Sequence, residues 1–254
     1  MKLTIFLFIS SLTVGAMAYA EPLRIVTEEW PPFIYAEKGE IKGADKEITE
    51  HLLHQLGYQV TWKLKPWRRV LREVAGGEAD AILDIAPHPE YRARFLFAEE
   101  PLSSHETVLF HDKRRPFAFS GVNDLAGLRI GVSPGYLYNN DAFISSDAFF
   151  REPAPTFEAN MQKLMRGRVD MVAMSRPVGL YTSRSLGISH QLHYHPTPLS
   201  QSDFYLAFHQ SPRWQKTARA FSQALKAFKT TDEYQRILRD YRLESVDGTL
   251  TLSP

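Results

Sequence analysis

Short apolar runs alternate with amphipathic stretches along most of the chain, and their spacing predicts an α/β protein. Leu23-Arg24-Ile25-Val26-Thr27 has the alternation and β-branched content of a strand. Residues 46–56 place Ile48, Leu52, Leu53 and Leu56 at helical spacing, and Gly57 closes that helix as a C-cap residue does. Residues 58–64 predict a second strand, and Pro66-Trp67-Arg68-Arg69-Val70 opens a second helix with proline near its first turn. Gly76-Gly77 gives a turn ahead of Ala79-Asp80-Ala81-Ile82-Leu83, an apolar run of the buried-strand kind. Glu106-Thr107-Val108-Leu109-Phe110 and residues 202–208 also read as strands, and 157–166 as an amphipathic helix. Two helices, 214–228 and 231–241, close the chain before a polar tail after Leu243.

One grammar occurs twice. Gly167-Arg168-Val169-Asp170-Met171-Val172-Ala173-Met174 repeats the helix-to-strand passage of residues 77–83, as two similarly built lobes would. Ligands of open α/β sheets bind beyond the carboxyl ends of strands, so the chemistry is sought there. Glu28-Glu29-Trp30-Pro31-Pro32-Phe33-Ile34-Tyr35 displays aromatics and acids on a loop that two prolines keep irregular. Trp30 is the candidate contact, with Phe33 packing beneath it. Trp67 lies at the next strand-to-helix junction. Asp84, with Arg92 after it, follows the Gly77 strand, and Ser175 follows the Asp170 strand. Arg92 reads equally well as a ligand fork or as a surface cation whose stem covers apolar neighbours; Arg94 takes the second reading. Ser133-Pro134-Gly135-Tyr136-Leu137-Tyr138 leads into an expected helix, and such a turn offers backbone N–H groups to a carboxylate. Tyr136 is the side chain singled out there.

Composition narrows the classes. The 254 residues carry a net charge of +1 and no basic block, which argues against nucleic acid as the main partner. Absence of cysteine removes disulfides, thiolate metal sites and cysteine nucleophiles together. His190, His193 and His195 cluster, but no carboxylate stands in register with them, so no metal and no cofactor are expected. Met1-Lys2, an apolar core over residues 3–14 and Ala18-Tyr19-Ala20 form a secretory signal peptide, with Glu21 expected as the mature start. That core is about a dozen residues, short of the ~20 that span a bilayer.

Several of these segments together resemble the extracellular solute-binding proteins of family 3, the periplasmic receptors of polar amino-acid ABC transporters. They are the "G-x-x-D-A" ending from Gly77, the turn Pro89-Glu90-Tyr91-Arg92, the "F-x-F-x-x-x-P" segment from Phe95 to Pro101, and Asp124-Leu125-Ala126-Gly127-Leu128-Arg129-Ile130-Gly131-Val132. The resemblance implies a two-lobe type II periplasmic-binding-protein fold with two crossing strands and a ligand in the cleft. It divides the chain into a signal peptide (1–20), lobe 1 (21–110 and 206–245), lobe 2 (111–205) and a tail (246–254), with crossings near 109–113 and over 202–208. It implies a monomer in the periplasm that delivers a small-molecule ligand to an ABC permease. A catalytic reading on the same fold, like the secreted cyclohexadienyl dehydratases, would draw on Glu28, Glu29, Asp84 and His88. A sensor module for a membrane receptor is the third reading; no enzyme is the expectation.

The resemblance also carries departures. The family's carboxylate-binding arginine matches Arg92 counted forward from Asp80, and Tyr91 counted back from Phe95. Its ammonium-binding aspartate is replaced by Ser175, its turn threonine by Tyr136 or Leu137, and its hydroxyl positions by Ile85, Ala86 and Pro87. Losing one partner of a buried charged hydrogen bond costs about 2–5 kcal/mol, or roughly 30-fold to several thousand-fold in affinity. Fold and binding class therefore transfer, whereas the amino-acid ligand does not. A small anion or polar zwitterion with an apolar or aromatic part fits Trp30, Trp67, Tyr136 and Arg92 better than a basic amino acid does.

Overall fold

The computed structural model describes residues 22–246 and 249–252. The signal peptide expected over residues 1–20 lies outside them. No helix among the described residues is long and apolar enough to cross a membrane.

The chain opens with β1 (Leu23–Thr27), the hairpin β2 (Tyr35–Glu37) and β3 (Glu40–Lys42), and helix α1 (Ala44–Gln55). It continues through β4 (Val60–Leu64), α2 (Trp67–Ala75), β5 (Ala81–Ile85), the single turn α3 (Pro89–Arg92), β6 (Phe95–Phe97) and the long β7 (Ser103–Asp112). After β8 (Arg129–Val132) come α4 (Asp141–Ser145), β9 (Phe150–Pro153), α5 (Phe157–Met165), β10 (Met171–Ser175) and α6 (Arg176–Ser185). β11 (Leu192–Tyr194), β12 (Ser200–His209), α7 (Gln215–Phe228), α8 (Asp232–Asp240), β13 (Leu243–Val246) and β14 (Thr249–Leu252) complete it.

The strands run in the order β4-β1-β5-β12-β7-β10-β8-β9. Parallel strands β4, β1 and β5 make one half, and parallel strands β10, β8 and β9 the other. The antiparallel pair β7 and β12 joins them. Alternate residues of β1 pack on opposite faces, Leu23 and Ile25 with α1 and α7, Val26 with α2, as a parallel sheet covered on both sides requires. The passage of β7 lies earlier than expected. Leu109 already pairs with Ala173, and Thr107 pairs with both Ser175 and Ser200, so the change of partner centres on Thr107.

The repeated motif has one structural meaning in both halves. Asp80 accepts from the backbone N–H of Arg24 at 3.0 Å and returns its own N–H to the Arg24 carbonyl at 2.9 Å. Asp170 does the same with Arg129, at 2.8 Å in each direction. Each aspartate thus fixes the start of its half's central strand, at the end of the sheet away from the cleft. Burial raises the Asp80 carboxyl, but Arg24 and Arg213 outweigh it and hold it below the usual range.

Four segments depart from expectation. The tail is a hairpin, with Leu243, Leu250 and Leu252 buried. β9 and α6 form where no element was expected. Asp84, expected in a loop, belongs to β5, where its φ of 58° breaks the alternation. Ala81 and Leu83 face one core and Ile82 and Ile85 the other, opposite a register shift in β12 between Tyr205 and Ala207.

Candidate functional site

A narrow cavity of about 80 Å³ lies between the halves, lined by the ends of β1, β5 and β10, the loop after β8 and the crossing strands. Trp30, Trp67, Asp84, Tyr136 and Ser175 all line it. Arg92 does not. α3 is a single turn, and successive residues of a helix diverge by about 100°. Tyr91 points into the cavity and Arg92 out, where its guanidinium lies 5.3 Å from the Phe97 ring centroid. Arg92, expected as a ligand contact, therefore lies outside the cavity lining, away from any anion held there.

Trp30 is fixed by its own loop. Its N–H donates to the Ile34 carbonyl at 2.6 Å, and its ring packs against Phe33, His105 and Phe204. The same loop caps α1: the carbonyls of Pro32 and Phe33 accept from the N–H groups of Ala44, Asp45 and Lys46. The cap residue Gly43 has no side chain for this task. Asp45 is thereby seated, fully buried, behind Asp84.

Glu28 ties the halves together. Its carboxylate accepts from the Tyr136 hydroxyl at 2.9 Å, across the cleft, and from the Trp67 N–H at 3.4 Å. Burial pushes this carboxyl up, while Tyr136 and Trp67 pull it back. Burial and the facing Glu28 push the phenol of Tyr136 well above its ordinary value, so it stays a donor. Tyr91 makes a second bridge, its hydroxyl donating to the Gly135 carbonyl at 3.3 Å.

Asp84 is 6% exposed, and apart from the neighbouring Asp45 carboxyl no side chain or backbone donor of the described residues reaches its oxygens. Its carboxyl lies against that of Asp45, and both are raised, Asp84 by burial and then by Asp45. Two carboxyls so placed share a proton. Ser103 donates to Asp45 at 2.7 Å, His105 stands 2.9 Å from the Ser103 hydroxyl, and Ser175 lies 3.5 Å from the other nitrogen of His105. Burial lowers His105 to about 3, and the ring sits neutral between Phe33 and Phe204. A continuous polar path therefore leaves the cavity at Ser175 and returns to it at Asp84.

Of the groups an acid–base mechanism would draw on, Glu28 and Asp84 line the cavity, whereas Glu29 and His88 do not. Glu29 accepts from the Ala36 N–H, and His88 caps α3 by accepting from Glu90. His193 lies on β11 beside His111, with ring centroids 5.6 Å apart. Among the described residues no cluster of three such side chains is arranged for a metal ion. Sequence reasoning missed Tyr138, Phe204, Asp45 and His105. Phe204 carried a signal, from its place in a strand read as crossing the cleft, and Tyr138 another, from the turn that also carries Tyr136.

Residues 23–244 match the model of the bacterial extracellular solute-binding proteins, family 3. The probable amino-acid-binding protein YxeM of Bacillus subtilis strain 168 is 21% identical over 218 residues, spanning 85% of this chain and 81% of that one. A histidine kinase sensor domain similar to periplasmic binding proteins has a TM-score of 0.77 at 18% identity, covering 87% of this chain and 96% of its own. A substrate-binding protein of an ABC uptake transporter from Streptococcus pneumoniae, solved with histidine, has a TM-score of 0.76 at 17% identity, covering 87% and 92%. At such identities the likeness establishes the two-lobe fold.

Proposed function

Because the chain belongs to the bacterial extracellular solute-binding proteins, family 3, we propose that it captures a small polar solute, an amino acid or a related compound, between its lobes and presents it to an ABC permease. The supporting observation is the cavity itself, walled from both halves and bridged by the Tyr136–Glu28 hydrogen bond. In this reading the lobe boundary runs through the crossing pair at Thr107 and Ser200, and residues 1–20 are a secretory leader that sends a monomer to the periplasm. Trp30, Trp67, Asp84, Tyr136 and Ser175 are the contacts, with Tyr91 in the place given to Arg92. Binding is favoured over catalysis because Glu28 is engaged by Tyr136 and Trp67, and Glu29 and His88 stand outside the cavity.

Solute capture works by a hinge: the ligand favours the closed arrangement and shifts an equilibrium that already exists. Tyr136→Phe removes a hydrogen bond to a charged acceptor that only the closed arrangement contains. Such a bond contributes about 1.5–3 kcal/mol, so the closed-to-open ratio should fall roughly 10- to 150-fold, read as a larger radius of gyration in solution scattering. Arg92→Ala should leave affinity within about twofold, as expected of a side chain outside the site. Calorimetry and thermal shift against amino acids and related small solutes test the capture itself. A broad solute screen with no stabilised melting and no compaction would end the reading.

A further inference from the structure

Nineteen residues line the cavity; seven are aromatic, two are acids, and none is lysine or arginine. That balance is unfavourable for a carboxylate. A ligand carboxylate would lose its water and meet Glu28 and Asp84 with no positive charge to offset them. Thr107, Ser133 and Ser202 supply neutral hydroxyls only. Arg68 lies across the Gly135 turn, where a Cβ would stand 3.1 Å from its Cγ, and its side chain is exposed outside the lining. Asp84 makes the positive case. It is buried, held at a positive φ, and apart from the proton it shares with Asp45 its oxygens meet no donor among the described residues. Buried polar groups in folded proteins are satisfied, and one left without a donor at a cavity wall is completed by whatever enters. The aromatic rings supply the rest, because indole and phenol faces attract a desolvated cation.

We propose that the cavity recognises an organic cation through its ammonium group, with Glu28 and the Asp84–Asp45 pair, which releases its shared proton to solvent as the cation enters, as counter-charges and the rings of Trp30, Trp67, Tyr91 and Tyr136 as walls, and that it recognises no carboxylate. This rests on the solute-capture reading and names its ligand class, an amine lacking an acid group. The cavity is about half the ~150 Å³ that holds a benzene ring, so larger amines require the lobes to part before they close again.

Matched pairs differing by a single carboxylate test this: methylamine and glycine, phenethylamine and phenylalanine, histamine and histidine, cadaverine and lysine, agmatine and arginine. Tetramethylammonium extends the set to a cation without N–H donors. Calorimetry should find at least one amine bound about tenfold or more tightly than its parent. Glu28→Gln and Asp84→Asn, which keep side-chain volume, should each weaken it about 30-fold or more, while Arg68→Ala changes nothing. A parent amino acid bound as tightly as its amine, or lost on Arg68→Ala, overturns the cation proposal and leaves solute capture intact. Binding that survives both acid substitutions also overturns it. Silence of every member of both sets overturns it too, and capture then stands or falls on the broader screen alone.

Discussion

Asp84→Asn is expected to raise the melting temperature at pH 8 while abolishing whatever binding depends on the Asp84 carboxylate. Burial and Asp45 lift the Asp84 carboxyl well above its ordinary 3.8, so the folded chain holds a proton that the unfolded chain has released. Above the unfolded value the folded state binds more protons, and stability falls as pH rises, until the folded value is passed. The loss is about 1.4 kcal/mol for each pH unit of that window. Asparagine has no proton to lose, tolerates the positive φ as aspartate does, and can donate to the Asp45 oxygen that lacks a partner. Burial raises Asp45 as well and outweighs the lowering by its hydrogen bonds with Asp84 and Ser103 and by Lys229, and His105 stays neutral. Each kcal/mol corresponds to about 2–4 °C in a chain of this size. The gain should shrink toward zero near pH 4, and melting curves between pH 4 and 8 check it. A variant less stable than the wild type at every pH would mean that the two carboxyls do not burden each other.

Gly43→Ala is expected to be strongly destabilising. Gly43 sits at φ 137°, and a Cβ there would stand 2.2 Å from the Phe33 carbonyl oxygen and 2.6 Å from the Ile34 nitrogen. Those are backbone atoms and cannot rotate aside. Backbone strain and overpacking cost about 1–3 kcal/mol each, so about 2–6 kcal/mol is lost together. The loop displaced carries Trp30 and caps α1 beneath Asp45, so the site is lost along with stability. Circular dichroism melts of purified variant and wild type measure the effect; a melting point unchanged within a degree would refute the close approach.

The strands were legible because parallel strands buried on both faces read as apolar runs, and the twin aspartates because each answers the same geometric need. Asp80 and Asp170 must each cap a central strand, so the same letters recur ninety positions apart. Tyr91 was not legible. On a one-turn helix the inward residue depends on a rotation that spacing along the sequence does not set, and two ways of counting gave two answers. His105 gave no sign either, since an imidazole stacked between phenylalanines in a core has the same letter as one in water. α6 hid behind Arg176, Tyr181 and Arg184, polar residues on a helix whose buried side is Pro177, Val178, Gly179 and Thr182. The closing hairpin did leave a trace. Thr249-Leu250-Thr251-Leu252 alternates with period two, but four residues at a chain end are too few to outweigh a polar surrounding.

That hairpin has a practical outcome. β13 packs on α8, while β14 packs on α6 and β7, and Gln201 donates to Thr249 at 3.0 Å. The hairpin is therefore geared to both halves of the molecule. A fluorescent reporter fused there, paired with a dye on an exposed residue of α5, would convert solute uptake into a colour change without engineering the hinge itself.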